Sequence, residues 1–155
     1  MNFGGSGIMM ETFKYIRSEL PTGKTILELG SGDVSTQRLS EHYKMISIED
    51  KEEWLSKYKS DYIHAPLVDG WYSLQVLEKA MPMEYDMILV DGPTGEGNRG
   101  GFLKHLNLFR RDVVIVLDDT NRLPERQLAW AVAEKLNREV TLHETFAVVG
   151  LRRYR

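Results

Sequence analysis

Two stretches of this chain carry residues whose types and spacing suit them to hold a ligand. The first is Glu28-Leu29-Gly30-Ser31-Gly32-Asp33. Alternating glycines at a strand-to-helix turn let the backbone pass close under a ligand, with no Cβ in the way. Glu49 stands nineteen residues after Gly30, the separation at which an acidic side chain ending the next strand meets both ribose hydroxyls of a nucleoside. Together they point to an adenosine-type ligand. The plainer reading is a tight turn plus a solvated carboxylate. A dinucleotide is disfavoured, because its fingerprint asks for glycine or alanine where Ser35 stands, and Glu28 and Asp33 would repel a pyrophosphate. Carboxylates there suit a ligand with a cationic amino-acid end.

The second is a pair of segments, Val90-Asp91-Gly92-Pro93 and Leu117-Asp118-Asp119-Thr120-Asn121. Three carboxylates (Asp91, Asp118, Asp119) and the Asn121 amide at one sheet edge repel each other unless protonated, hydrogen-bonded or bridged by a cation. One reading is a hard divalent metal held by all four. The other has Asp91 orienting substrate or acting as a base while Asp119 or Asn121 caps the helix begun near Pro124. The glycine-rich stretch 93–100 reads as a mobile loop over the site. Its Arg99, with Arg122, would clamp an anionic substrate such as a uronate or phosphate, or stand solvated. His64 and His105 are candidate general bases, whereas His42 and His143 read as surface or core residues. Trp71 and Tyr72 would wall an adenine or acceptor pocket, or serve the core.

These residues need a scaffold. Met9, Phe13, Ile16 and Leu20 lie on one helical face, which Pro21 and Gly23 end. Apolar strands follow at 25–29, 45–49, 61–64, 86–90 and 113–117, separated by helical patterns at 34–43, at 52–58, around Leu74, Leu77 and Met81, and around Phe102, Leu106 and Phe109. Trp71 and Tyr72 are placed at the start of the helix after the third strand. Pro124 suits a first helical turn, with Leu128, Val132 and Leu136 continuing the apolar face. Residues 139–153 alternate like two strands of a hairpin. The expected fold is α/β, doubly wound, with a mostly parallel seven-stranded sheet, helices on both faces and an antiparallel last strand. Ligands of such sheets bind outside the carboxyl ends of the strands, where strand order reverses.

The chain has 155 residues, 42% hydrophobic and 28% charged, which reads as one domain over 1–155 with a flexible glycine-rich start at 1–7. A net charge of -3 argues against a nucleic-acid backbone as partner. The absence of cysteine excludes disulfides, thiolate nucleophiles and cysteine metal sites. No apolar run approaches membrane-spanning length, and 1–7 lack the basic start of a signal peptide. A cytoplasmic protein without a membrane partner is expected.

At Glu28-Leu29-Gly30-Ser31-Gly32, with Glu49 ending the second strand, the sequence resembles the class I S-adenosylmethionine-dependent methyltransferases, over nearly the whole chain. The resemblance implies S-adenosylmethionine as cofactor. Gly30, Ser31 and Gly32 would line its methionine part, Glu28 and Asp33 would organise the ammonium side, and Glu49 would hold the ribose. Asp50 and His64 or Ala65 would lie at the adenine, and Asp91 after the fourth strand completes the set; the family's usual acidic residue after the third strand is absent. Asp91 with Asp118, Asp119 and Asn121 is similar to the Mg2+ ligands of catechol-type O-methyltransferases, although Thr120 here separates acid from amide. Val90-Asp91-Gly92-Pro93-Thr94-Gly95 with its following arginine resembles plant glucuronoxylan O-methyltransferases, implying a carbohydrate acceptor. The family's Asn-Pro-Pro-Tyr motif of base methylation is missing. The resulting expectation is O-methylation of a small molecule or glycan, with Asp91, Asp118 and Asp119 or a metal activating the acceptor. The alternatives are a nicotinamide- or nucleotide-sugar-binding enzyme and a non-catalytic, partner-dependent module. A homodimer would supply a missing pocket wall.

Overall fold

Strands of Val, Ile and Leu with both faces covered must pair in parallel and take helices on either side. The computed structural model, which describes residues 8, 10–95 and 97–153, follows that logic. Its strands are β1 (Thr25–Leu29), β2 (Lys44–Glu49), β3 (Asp61–His64), β4 (Leu67–Val68), β5 (Trp71–Tyr72), β6 (Met87–Val90), β7 (Val114–Asp118), β8 (Arg138–Leu142) and β9 (Phe146–Arg153). The helices are α1 (Met10–Glu19), α2 (Ser35–Leu39), α3 (Leu74–Ala80), α4 (Gly101–Lys104) and α5 (Leu123–Leu136). Seven strands form one sheet in the order β3-β2-β1-β6-β7-β9-β8. The pairs among β3, β2, β1, β6 and β7 are parallel; β9 runs antiparallel between β7 and β8. Met9 and residues 1–7 lie outside the described residues.

Side chains alternate across this sheet as a period of two demands. Ile26, Met45, Met87, Leu89, Val116 and Val148 pack with Ile16 of α1, Leu20 just after it and Leu39 of α2. Leu27, Leu29, Ile48, Ile88, Val90, Ile115 and Leu117 pack on the other face with Leu77 of α3, Phe102 of α4, and Leu128 and Val132 of α5. Register puts Glu28 beside Ser47 and Leu89, and Leu89 beside Val116. The next residues on that face, Asp91 and Asp118, therefore stand at the carboxyl ends of neighbouring strands. Strand order reverses between β1 and β6, so the loops after these strands part and leave a crevice. No helix of the described chain is long and apolar enough to cross a membrane.

Four elements differ from the sequence pattern. The helix expected over 34–43 stops at Leu39, because the chain turns at Ser40 and Tyr43 sends its hydroxyl to the Leu20 carbonyl at 2.7 Å. The helix expected over 52–58 is one 3-10 turn at Glu52–Trp54; it ends where Leu55 turns extended (ψ 134°), and Ser56 follows at φ 60°. Trp71 and Tyr72 do not begin a helix: Asp69 and Gly70, both at positive φ (53° and 82°), form a two-residue hairpin turn that pairs β4 with β5. The stripe of Phe102, Leu106 and Phe109 is buried, but over a four-residue helix and a 3-10 turn at Leu106–Leu108. Pro124 does sit in the first turn of α5. Its N-cap is Arg122 without a side-chain bond, so neither Asp119 nor Asn121 caps that helix.

Candidate active site

The glycine turn after β1 is held from below by side chains. Glu28, fully buried, accepts hydrogen bonds from the Thr36 hydroxyl and, at 2.6 Å, from Ser47 of β2. Thr36 Oγ1 in turn accepts the Gly32 N–H at 3.0 Å and lies 2.8 Å from Ser31 Oγ. Ser31 Oγ is 3.0 Å from the Tyr62 hydroxyl, which accepts the Tyr58 N–H. With Glu28 as final acceptor, every hydroxyl in this chain donates once and accepts at least once. Glu28 Oε2 has no partner, and burial pushes the carboxyl up to about 7 despite the hydroxyl bonds.

Above this base lies a cleft of about 220 Å³. Gly30, Ser31, Glu49, Asp50, Lys51 and Trp54 form one side; Tyr72, Asp91, Pro93, Thr94, Arg99, Asp119 and Arg122 form the other. Glu49 is buried, with one carboxylate oxygen accepting the Ser31 N–H at 3.0 Å and the other the Lys51 N–H at 2.8 Å. Burial raises its pKa, with Asp50 adding to the shift. Each of its oxygens keeps a free lone pair. The two walls meet where Gly30, at φ 90°, leaves no room for a side chain: a Cβ would stand 2.7 Å from the Asp91 carbonyl oxygen. Gly92 is equally confined, a Cβ there falling 2.5 Å from the Tyr72 hydroxyl.

The floor beyond Asp91 is acidic. Carboxylate oxygens of Asp91, Asp118 and Asp119 lie within 4.8 Å of one another. Asp118 takes a long bond from Thr12 of α1 (3.4 Å), and its Oδ2 is buried without a partner. Burial, then repulsion by Asp118, raises the Asp91 carboxyl well above the usual range; burial, then Asp119, lifts Asp118 to about 6. Arg99 enters this cluster, 8% exposed. Its Nη1 lies 3.0 Å from Asp119 Oδ2 and donates to the Asp118 carbonyl at 3.4 Å; its Nη2 donates to the Asp91 carbonyl at 3.3 Å and lies 3.8 Å from Asp91 Oδ1. Nε donates to the Pro93 carbonyl at 3.4 Å.

The structure thus brings Gly30, Ser31, Glu49, Asp50, Asp91, Asp119, Arg99 and Arg122 to one cleft, with Asp118 beneath it. Other expected residues stand elsewhere. Glu28 supports the turn from inside, and Gly32 and Asp33 are not among the lining residues. Asp33 is half exposed and faces Lys57 (3.7 Å) and the Tyr58 hydroxyl. His64 also lies off the cleft, its Nε2 3.2 Å from the Asp50 carbonyl oxygen. Asn121 is exposed and lines no part of the cleft, so the four-ligand metal set is not assembled.

Arg99 corrects a further expectation. It does not stand solvated: the residue is buried and its guanidinium turns inward onto the aspartates, with Gly92 and Pro93 buried beside it and the Asn98 N–H bonded to the Gly70 carbonyl at 2.6 Å. Glu96 lies outside the described residues. Arg122 is half exposed at the mouth, 2.8 Å from Asp119 and 3.6 Å from Glu125. Tyr72, for which a pocket wall was one of two readings, lines the cleft, and Pro93 and Thr94 belong to the stretch expected over the site; Lys51 and Trp54 were not anticipated, and only tertiary contact reveals their role.

No family model and no curated protein sequence matches the chain. Solved structures do. The MycE methyltransferase of the mycinamycin biosynthetic pathway, in complex with Mg, SAH and mycinamycin VI, superposes with a TM-score of 0.60 over 92% of this chain and 45% of that one, at 13% identity. The likeness is one of fold. A TehB-like SAM-dependent methyltransferase from Corynebacterium glutamicum matches at TM-score 0.58 and 14% identity, over 91% of this chain and 86% of that one. The C-terminal domain of precorrin-6Y C5,15-methyltransferase from Rhodobacter capsulatus matches at 0.59 and 11%, over 94% and 90%. The chain spans less than half the length of MycE.

Proposed function

We propose that the chain is an S-adenosylmethionine-dependent methyltransferase acting on a hydroxyl of a small molecule or carbohydrate. The observation that carries this reading is Glu49, buried at the end of β2 and facing the Gly30-Ser31 turn where strand order reverses. The cleft's chemistry suits that cofactor. The free lone pairs of Glu49 suit a ribose diol, and Trp54, Tyr72 and Pro93 offer apolar surface to a base. SAH held by MycE, on the same fold, agrees.

When bound, S-adenosylmethionine supplies a methyl group on a sulfonium with a neutral thioether as leaving group. The protein's work is alignment, exclusion of water and removal of the acceptor's proton. Asp91 stands on the cleft wall with a raised pKa, which makes its carboxylate a stronger base than an exposed aspartate. As the acceptor oxygen takes that methyl group, its proton would go to Asp91. Asp118, on the adjacent strand end, shares that proton's site. The acceptor wall would be completed by a second copy of the chain.

Calorimetric titration of S-adenosylmethionine and S-adenosylhomocysteine tests the reading. Both are expected to bind one per chain, with Glu49→Gln weakening them at least about tenfold. No binding of either would discard the proposal and turn attention to nicotinamide dinucleotides and nucleotide sugars.

A further inference from the structure

We propose that Arg99 is the resident cation of the Asp91, Asp118 and Asp119 cluster, so that this chain takes no divalent ion there, and that removing the guanidinium turns the cluster into a divalent-ion site. The inference goes beyond the methyltransferase reading and is independent of the cofactor. Three carboxylate oxygens within 4.8 Å have the spacing and hardness to hold Mg2+ or Mn2+. The place is already taken by charge. Arg99 touches Asp119 and Asp91 and caps the carbonyls of Asp91, Pro93 and Asp118, five contacts that a side chain merely passing by would not make.

Charge counting agrees. Arg99 and Arg122 bring two positive charges to the three aspartates, Arg122 through its 2.8 Å contact with Asp119. Two of the three negative charges are thereby met without a metal ion. A dication among the same oxygens would face the Arg99 guanidinium within a few ångströms. The fourth ligand expected from sequence, Asn121, stays on the surface. Removal of Arg99 would leave Asp118 Oδ2, buried and unpartnered, beside two carboxylates without their buried counter-charge.

Water-proton relaxation with Mn2+ tests this without any cofactor, taking the cluster's share of binding as the part lost in Asp118→Asn. The native chain is expected to show no cluster binding tighter than about 1 mM, and Arg99→Gln to bind there at least about tenfold more tightly. Cluster binding by the native chain below about 1 mM would overturn the proposal. So would an Arg99→Gln protein that keeps its circular dichroism and gains no site. Should Arg99→Gln fail to fold, the titration of the native chain still decides. Because S-adenosylhomocysteine binding is measured separately, failure here leaves the cofactor reading standing, and the reverse.

Discussion

Buried acids set the chemistry of this protein residue by residue. Glu28 rises from an ordinary 4.5 to about 7 because burial outweighs its bonds from Ser47 and Thr36. A carboxyl whose folded-state pKa is raised stabilises the fold below its ordinary value and loses that contribution as pH rises toward the folded one. Glu28 thus works against the fold by on the order of 3 kcal/mol above pH 7, and Asp118 acts in the same direction up to about 6. Urea unfolding is expected to show stability falling from pH 5 to 8, and Glu28→Gln to flatten that fall. Thr36→Val, which removes the hydroxyl serving Glu28, Ser31 and Gly32 together, should cost about 1 to 3 kcal/mol by the same measurement. Asp91→Asn is expected to keep S-adenosylhomocysteine affinity within a few fold while methyl transfer falls at least about a hundredfold.

Among the elements, turns decide what the periodic pattern leaves open. The β4–β5 hairpin rests on two successive positive-φ residues, Asp69 and Gly70, and its Gly70 carbonyl receives the Asn98 N–H. That bond ties the hairpin to the loop carrying Arg99. At the far end of α5, Asn137 closes the helix in the left-handed region at φ 53° and lies exposed. Glycine meets less resistance there. Asn137→Gly is expected to raise stability by about 0.5 kcal/mol, read as a small increase in Tm; a decrease would show that the asparagine side chain matters to the cap.

For the whole molecule, the sheet order places β1 and β6 side by side and so brings Gly30 against the Asp91 carbonyl, with Gly92 against Tyr72. The cleft they leave, about 220 Å³, is crossed at its mouth by a 3.5 Å contact between Lys51 Nζ and Thr94 Oγ1. Small-molecule sites usually run from about 300 Å³ upward, so occupation requires the 50–60 segment and the 91–101 loop to move apart. A ligand bound only by the folded chain stabilises it by about 2.7 kcal/mol at a hundred times its Kd. S-adenosylhomocysteine is expected to raise Tm accordingly, and Gly30→Ala, strained at its positive φ and pressed on Asp91, to lower stability by more than about 1 kcal/mol.

The order of apolar runs determined the α/β class, the strands and the end of the sheet where Glu49, Asp91 and Asp118 gather, because alternation and strand-end position are local properties of a chain. It also marked the Gly30 turn, since only residue type there matters. Helix lengths at 34–43 and 52–58 were not legible: Tyr43 leaves its helix for the Leu20 carbonyl just after α1, and Lys57 and Tyr58 leave theirs for Asp33, contacts between residues distant in sequence. The same holds for Arg99. Its inward turn depends on two carboxylates and three carbonyls that come together only when β6 and β7 lie side by side, and charge satisfaction among buried groups is settled in three dimensions.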